Sequence, residues 1–179
     1  CIRDRAKSMA DQYGILFCTH AAETQAEQND IKARYDNSVI RHLEKYKLLG
    51  ETSVLAHCVH LDDTEISLLA QSKTNVVLNP MSNLKLGSGI APVKAMHKAG
   101  INLTIGTDGA ISGNDLDMWL AMRLTCGLAK GVNMEADALT AEQVLHMATI
   151  SGAKALGKSD SLGSLEIGKN ADFILVDIN

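Results

Sequence analysis

Short apolar segments alternate with helical segments along this 179-residue chain, and the alternation restricts the possible folds more than any other feature. Apolar runs of four to eight residues with β-branched or aromatic members predict buried strands. Amphipathic segments with capping residues predict helices between them. Because parallel strands need long crossovers, which are usually helical, this order predicts a parallel α/β sheet. Strands are predicted at 14–20, 52–57, 75–79 and 101–108, and helices at 1–13, 37–50, 62–73, 91–100, 114–131 and 140–157.

Strand–helix units in this number can form either a small open sheet or half of an eightfold barrel. All the predicted strands are apolar, so we expect both faces of the sheet to be covered. A small flavodoxin-type open sheet is disfavoured, because the chain lacks a phosphate-binding loop. After residue 157 the alternation stops, and residues 158–179 contain a predicted turn at 168–170 and a predicted strand at 172–176. We therefore expect one α/β unit at 1–157 and part of a separate β unit at 158–179.

The composition argues against several classes of protein. The net charge is −4 and the basic residues are scattered, which does not suggest a nucleic-acid partner. No apolar stretch is long enough to span a membrane, and no signal-peptide pattern opens the chain. The cysteines form no C-x-x-C pair and are interpreted as small core residues in a reducing cytoplasm. They are Cys1, Cys18, Cys58 and Cys126.

Polar side chains stand at the end of each predicted strand, namely His20, His57, Asn79 and Asp108. The carboxyl ends of parallel strands face the same edge of a sheet, so these groups are expected to converge. One histidine after a strand is usually structural, and one Asp-Gly pair is usually a turn. Several imidazole and carboxylate groups at one edge favour a shared site for a divalent metal, with zinc preferred and iron as the alternative.

The chemistry of these groups suggests a role for each. His20 and Asp108 are predicted metal ligands, and the metal would lower the pKa of a bound water to about 7. Glu23 lies three residues beyond His20 and is predicted to protonate a leaving group or ring nitrogen. His57 is predicted to hold the bound hydroxide or the developing oxyanion. Asp108 is also expected to accept the proton of the water.

Polar residues on the loops after two strands are candidates for substrate contacts. Asn79, Ser82 and Asn83 follow the third strand and either hydrogen-bond the substrate or shape the turn. Ser112 follows Asp108 closely and is a candidate for contact with the leaving group.

Four motifs in this order resemble the aminohydrolase branch of the amidohydrolase superfamily, from about residue 14 to the end. They are "THAAET", "LAHCVHLDD", "NPMSNLKLGSGIAPV" and "GTDGAISGNDLDM". That branch contains S-adenosylhomocysteine/5′-methylthioadenosine deaminases, guanine-type deaminases and triazine chlorohydrolases. The resemblance implies a distorted (β/α)8 barrel with one metal ion. It matches His20 to the histidine ligand of strand five, Glu23 to the acid/base glutamate, His57 to the histidine of strand six and Asp108 to the aspartate of strand eight.

The same resemblance implies that the chain is only part of the fold. Residues 1–157 would be the C-terminal half of a metal-dependent hydrolase barrel, strands five to eight. "GSLEIGKNADFILVD" resembles the start of a small β-sandwich, which places 158–179 in that domain. The family takes two further ligands from a His-x-His motif on strand one, and this chain has none. We therefore expect the N-terminal half barrel to come from the same or another chain. The polar segment 24–36 would approach the substrate mouth, which makes Arg34 a binding candidate.

The resulting functional prediction is hydrolytic deamination of an amino-substituted N-heterocycle by attack of metal-bound hydroxide. An S-adenosylhomocysteine or 5′-methylthioadenosine type of nucleoside is the preferred small-molecule substrate. The alternatives within the family are a triazine chlorohydrolase and a guanine-type aminohydrolase. An alternative of another class is a non-catalytic α/β binding module. The sequence leaves homo-oligomer formation open.

Overall fold

A parallel sheet forms the centre of the fold, in a computed structural model that describes residues 2–177 apart from the side chain of Arg3. The strands are adjacent in chain order and every pair is parallel, so the predicted α/β architecture is confirmed. Cys1, predicted as a core residue, lies outside the described residues. The strands are β1 (Phe17–Ala21), β2 (Ser53–His57), β3 (Asn75–Leu78) and β4 (Leu103–Ile105).

Helices connect the strands and follow the last one. Their boundaries are α1 (Ile2–Tyr13), α2 (Gln25–Tyr35), α3 (Val39–Lys45), α4 (Asp63–Gln71), α5 (Pro80–Lys85), α6 (Val93–Lys98), α7 (Ala110–Gly113), α8 (Met118–Asn133), α9 (Ala141–Ala148) and α10 (Ile150–Ala155). Two predicted capping boxes are confirmed, because Asp62 pairs with Glu65 at the start of α4 and Thr140 with Gln143 at the start of α9.

Several helices differ from the prediction. The sequence pattern of 24–36 predicts a polar connection, but the structure has a helix there, α2, which Thr24 caps and which buries no residue. The short helices α5 and α7 occupy segments that were assigned to loops. The single helix predicted over 140–157 is two helices that meet at Thr149. The Thr149 hydroxyl donates to the Leu145 carbonyl oxygen at 2.7 Å, and such back-bonding bends helices.

The core lies between the sheet and the surrounding helices. Its fully buried side chains include Ile40, Leu43, Leu55, Leu69 and Met96. This continuous apolar cluster supplies the main driving force for folding.

The first strand departs from the expected full coverage. In β1, Phe17 and Ala21 are buried, whereas Cys18 and His20 are exposed. The core placement predicted for Cys18 is therefore wrong, while Cys58 is buried as expected. Within residues 2–177, β1 and β4 each pair on one side only. One face of β1 and two edges of the sheet are thus open in the described part of the chain.

The segment after α10 contains no helix or strand up to residue 177. The strand predicted at 172–176 pairs with no other described segment, so that prediction is wrong for the described residues. A strand exists only with a hydrogen-bonding neighbour, and none lies beside it. Phe173, Ile174 and Leu175 are exposed there. In the part of the chain that the structure covers, no helix is long and apolar enough to span a bilayer.

Candidate active site

The strands β1, β2 and β4 are followed by turns that hold non-glycine residues in the left-handed region of φ. These residues are Ala22 at 51°, His57 at 76°, Cys58 at 48° and Asp108 at 62°. Such conformations are unfavourable for residues with a Cβ and are concentrated at functional sites. Backbone hydrogen bonds hold them, including one from the Cys58 N–H to the Ala21 carbonyl oxygen at 3.0 Å. The turns direct polar side chains over the carboxyl edge of the sheet.

Four predicted site residues lie together at this edge, with His57 at the centre. The rings of His57 and His20 are stacked, with centroids 5.3 Å apart and planes inclined by 25°. His57 Nε2 lies 3.7 Å from Glu23 Oε2 and 4.0 Å from Asp108 Oδ2. Both distances exceed a direct hydrogen bond, so Nε2 is near both acids without being bonded to either.

The other ring nitrogen of His57 is occupied. His57 is 1% exposed, and its Nδ1 lies 2.8 Å from Asn83 Oδ1, within hydrogen-bonding distance. Only Nε2 therefore faces the acidic groups.

Both carboxylate oxygens of Asp108 accept hydrogen bonds. The Ser82 hydroxyl donates to Oδ2 and the Gly109 N–H to Oδ1, each at 2.7 Å. Partial burial opposes ionisation of Asp108, but these hydrogen bonds and the imidazoles of His57 and His20 outweigh it. The pKa of Asp108 therefore lies below its ordinary value, and the group is a carboxylate near neutral pH.

Glu23 is held at the start of α2. Its backbone N–H donates to Glu27 Oε2 at 2.9 Å, and the Ser88 hydroxyl lies 3.4 Å from its Oε1. The Glu23 side chain is 25% exposed, so its carboxylate can reach a molecule above the sheet edge.

The predicted substrate contacts differ in burial and in whether they lie near the cluster. Asn79 is buried at the start of α5, and Ser82 is buried against Asp108. Ser112 is half-buried on α7, and its hydroxyl makes no hydrogen bond within residues 2–177. Arg34 is not brought to the cluster, since its hydrogen bond and ion pair both go to Asp30 on the exposed surface of α2.

Two residues of the cluster escaped prediction in the roles that the structure gives them. Asn83 was considered only as a substrate contact or a turn residue, but it contacts His57. Ser88, which approaches Glu23, was not considered. The motif "NPMSNLKLGSG" contains both, yet its spacing does not reveal which partners they meet.

The donor groups fit a divalent metal in kind. Imidazole and carboxylate are ordinary ligands of zinc and iron, and a catalytic zinc usually has three protein ligands. Within residues 2–177, no three His, Cys, Asp or Glu side chains are grouped closely enough to hold an ion by themselves. His20, His57 and Asp108 thus offer suitable donors but an incomplete set.

Fold and cluster together define a parallel α/β protein that gathers imidazole and carboxylate groups at the carboxyl ends of its strands. More specifically, the chain belongs to the amidohydrolase family, which matches residues 3–179.

Two curated relatives are named as deaminases. A 5-methylthioadenosine/S-adenosylhomocysteine deaminase from Moorella thermoacetica is 47% identical over 174 residues, covering 97% of this chain and 41% of the relative. A 5′-deoxyadenosine deaminase from Methanosarcina acetivorans is 44% identical over 174 residues, covering 97% and 40%. The chain therefore spans about two fifths of the length of these curated relatives.

Two solved structures with bound zinc are also similar to this chain. An adenosine deaminase from Xanthomonas campestris with bound zinc superimposes with a TM-score of 0.92 and 41% identity, covering 95% of this chain and 39% of that one. An atrazine chlorohydrolase from Arthrobacter aurescens, in complex with zinc, gives 0.90 and 29% identity, covering 96% and 38%.

Proposed function

We propose that these residues belong to a metal-dependent hydrolase that deaminates an amino-substituted N-heterocycle. The proposed substrate class is an adenine nucleoside such as 5′-methylthioadenosine or S-adenosylhomocysteine. The observation that carries the proposal is the cluster of His20, Glu23, His57 and Asp108 at one edge of the sheet. The names of the two relatives described above support the same reaction.

The architecture that we propose is the C-terminal half of a (β/α)8 barrel at 1–157, strands five to eight, with 158–179 as part of a β-sandwich. The unpaired sides of β1 and β4 support this arrangement, because a closed barrel has no edge strands. The exposed apolar residues of the tail support a sandwich partner. We propose that the N-terminal half barrel comes from the same or another chain, in a cytoplasmic protein.

The proposed metal ligands are His20 and Asp108, and the missing half barrel would complete the set. Zinc is the preferred ion, in line with the two zinc-containing structures, and iron is the alternative. When bound, such an ion supplies Lewis-acid activation of a water near neutral pH.

The remaining steps fall to the side chains of this chain. Glu23 is proposed to donate a proton from its carboxyl group to the ring nitrogen of the substrate. Asp108 is proposed to accept the proton of the attacking water, because its low pKa keeps it ionised. His57 is proposed to hold the attacking water or hydroxide through Nε2, which can accept a hydrogen bond from its O–H group. Asn79, Ser82, Ser112 and Arg34 remain proposed substrate contacts.

The test is ammonia release by the full-length protein with Glu23→Gln. We expect kcat for the adenine nucleosides to fall by about 10²- to 10⁴-fold, the usual contribution of general acid–base catalysis, at unchanged metal content. The matched control is Glu51→Gln, whose exposed carboxylate pairs with Lys73 and does not take part in the cluster. Near-normal turnover by Glu23→Gln would contradict the acid/base assignment. Metal analysis of His20→Ala tests the ligand assignment, since that variant should lose the ion.

Chlorohydrolysis is a second candidate, because the atrazine chlorohydrolase superimposes nearly as well as the adenosine deaminase. The same cluster can serve another leaving group. A panel of adenine nucleosides, guanine and chlorotriazines, assayed for ammonia and chloride, separates these reactions. A non-catalytic binding module is a further candidate, because the described metal ligands are incomplete. Failure of the metal-loaded full-length protein to turn over any member of the panel would favour that module.

A further inference from the structure

One short segment contacts all three of the proposed acid/base groups. This segment, residues 79–88, follows β3 directly and contains α5. Three side chains of this segment each meet a different acid/base group. The contacts are Ser82 to Asp108 at 2.7 Å, Asn83 to His57 at 2.8 Å and Ser88 to Glu23 at 3.4 Å.

Asn83 makes the contact with His57 from a buried position. Asn83 is 3% exposed and His57 is 1% exposed, so water does not compete readily for their hydrogen bond. The Asn83 backbone is also held on both sides, because its N–H donates to the Asn79 carbonyl oxygen at 3.0 Å and its carbonyl oxygen accepts from the Ser88 N–H at 2.8 Å. The side-chain amide therefore has little freedom to follow a rotating imidazole.

The partner atoms decide which nitrogen of His57 carries the proton. The Asn83 atom at the contact is Oδ1, and a carbonyl oxygen accepts but cannot donate. In the Nδ1–H tautomer, Nδ1 donates to this oxygen and Nε2 keeps a lone pair. Nε2 is the atom that faces Glu23 and Asp108.

We propose that Asn83 is a positioning residue that fixes His57 as the Nδ1–H tautomer and thereby directs the Nε2 lone pair to the reacting groups. The inference rests on the proposed function, since it concerns the orientation of the proposed catalytic imidazole.

The experiment combines NMR of ¹⁵N-histidine-labelled full-length protein with steady-state kinetics. Wild type should show an Nδ1–H, Nε2-lone-pair signature for His57, assigned by its disappearance in His57→Gln. Asn83→Ala should lose the single tautomer and about 10- to 100-fold of kcat with little change in KM, the usual effect of removing a hydrogen-bond partner that orients a site histidine. Asn133→Ala is the matched control, since Asn133 at the end of α8 donates to the Ala129 carbonyl oxygen and does not contact the cluster.

Asn83→Asp keeps the test decisive even if the alanine variant does not fold. Aspartate has the same shape and can only accept through its carboxylate oxygens, so this variant should retain the Nδ1–H signature. If the amide had the opposite orientation, the Asn83 NH₂ group would donate to His57 Nδ1. Asn83→Asp would then change the tautomer of His57. That result would overturn the inference. An active wild type with an Nε2–H signature would overturn the inference but not the proposed function. An Nδ1–H signature without turnover of any substrate would support the tautomer assignment and overturn the proposed function.

Discussion

Gly106 is the residue whose enlargement should disturb the edge of the proposed site most strongly. It lies between β4 and Asp108, and its N–H donates to the Leu78 carbonyl oxygen at 2.9 Å. A Cβ at this position would lie 2.7 Å from Asn79 Oδ1 and 3.0 Å from Val77 Cγ1. Both neighbours belong to the adjacent strand or its end, and Asn79 is 4% exposed. Gly106→Ala should therefore force a shift in a packed region, at a cost of about 1 to 3 kcal/mol in the free energy of unfolding.

Gly109→Ala is the matched control three residues away. Gly109 has φ −69° and ψ 150°, which alanine adopts readily, and a Cβ there meets no atom within 4 Å. The loss of unfolded-state freedom should stabilise this variant by about 0.4 to 1 kcal/mol. The two alanine variants should therefore differ by about 1.4 to 4 kcal/mol, the sum of the two effects.

Urea denaturation of the full-length protein, followed by circular dichroism, measures this difference from the midpoint and slope of each transition. The displaced Asn79 should also raise KM for the nucleoside, because Asn79 is a proposed substrate contact. Equal free energies of unfolding for the two variants, within about 0.5 kcal/mol, would refute the packing argument.

Three further predictions concern the scaffold. Partial burial opposes ionisation of Asp62, but hydrogen bonds in its own helical turn and the guanidinium of Arg41 outweigh it and hold its pKa at about 2, below the ordinary 3.8. This stabilisation should be complete above about pH 5 and disappear as the pH falls toward 2. Between these pH values, the free energy of unfolding should therefore fall less in Asp62→Asn than in the wild type. Leu55→Ala, at a fully buried position in β2, should cost about 2 to 5 kcal/mol in urea denaturation, whereas Leu55→Met should cost less than about 1.5. Thr140→Ala removes the hydroxyl that accepts from the Gln143 N–H and should cost about 1 kcal/mol, whereas Thr140→Ser should retain most of the stability.

Segments with a strong local signal could be predicted from the sequence. The strands are apolar and β-branched, and α4 and α9 begin with capping boxes, so hydrophobic pattern and side-chain chemistry are enough to assign them. The helix α2 could not be assigned this way, because it buries no side chain and its pattern has no apolar period. The break between α9 and α10 depends on one hydroxyl of Thr149 that bonds the preceding turn. Residues 172–176 have a strand-like pattern, but no described segment pairs with them. A local sequence pattern cannot show whether a pairing strand is present.

In the proposed site, too, the sequence predicts some features and tertiary packing decides the others. The rule that parallel strands end at one edge was sufficient to bring His20, His57 and Asp108 together, because it depends only on strand order. Their contacts depend on tertiary packing. Asn83 meets His57 across 26 residues of chain, and left-handed turns at His57 and Asp108 direct their side chains. Short-range propensities carry no information about a partner so far away in sequence, so only the assembled sheet decides which oxygen meets which nitrogen.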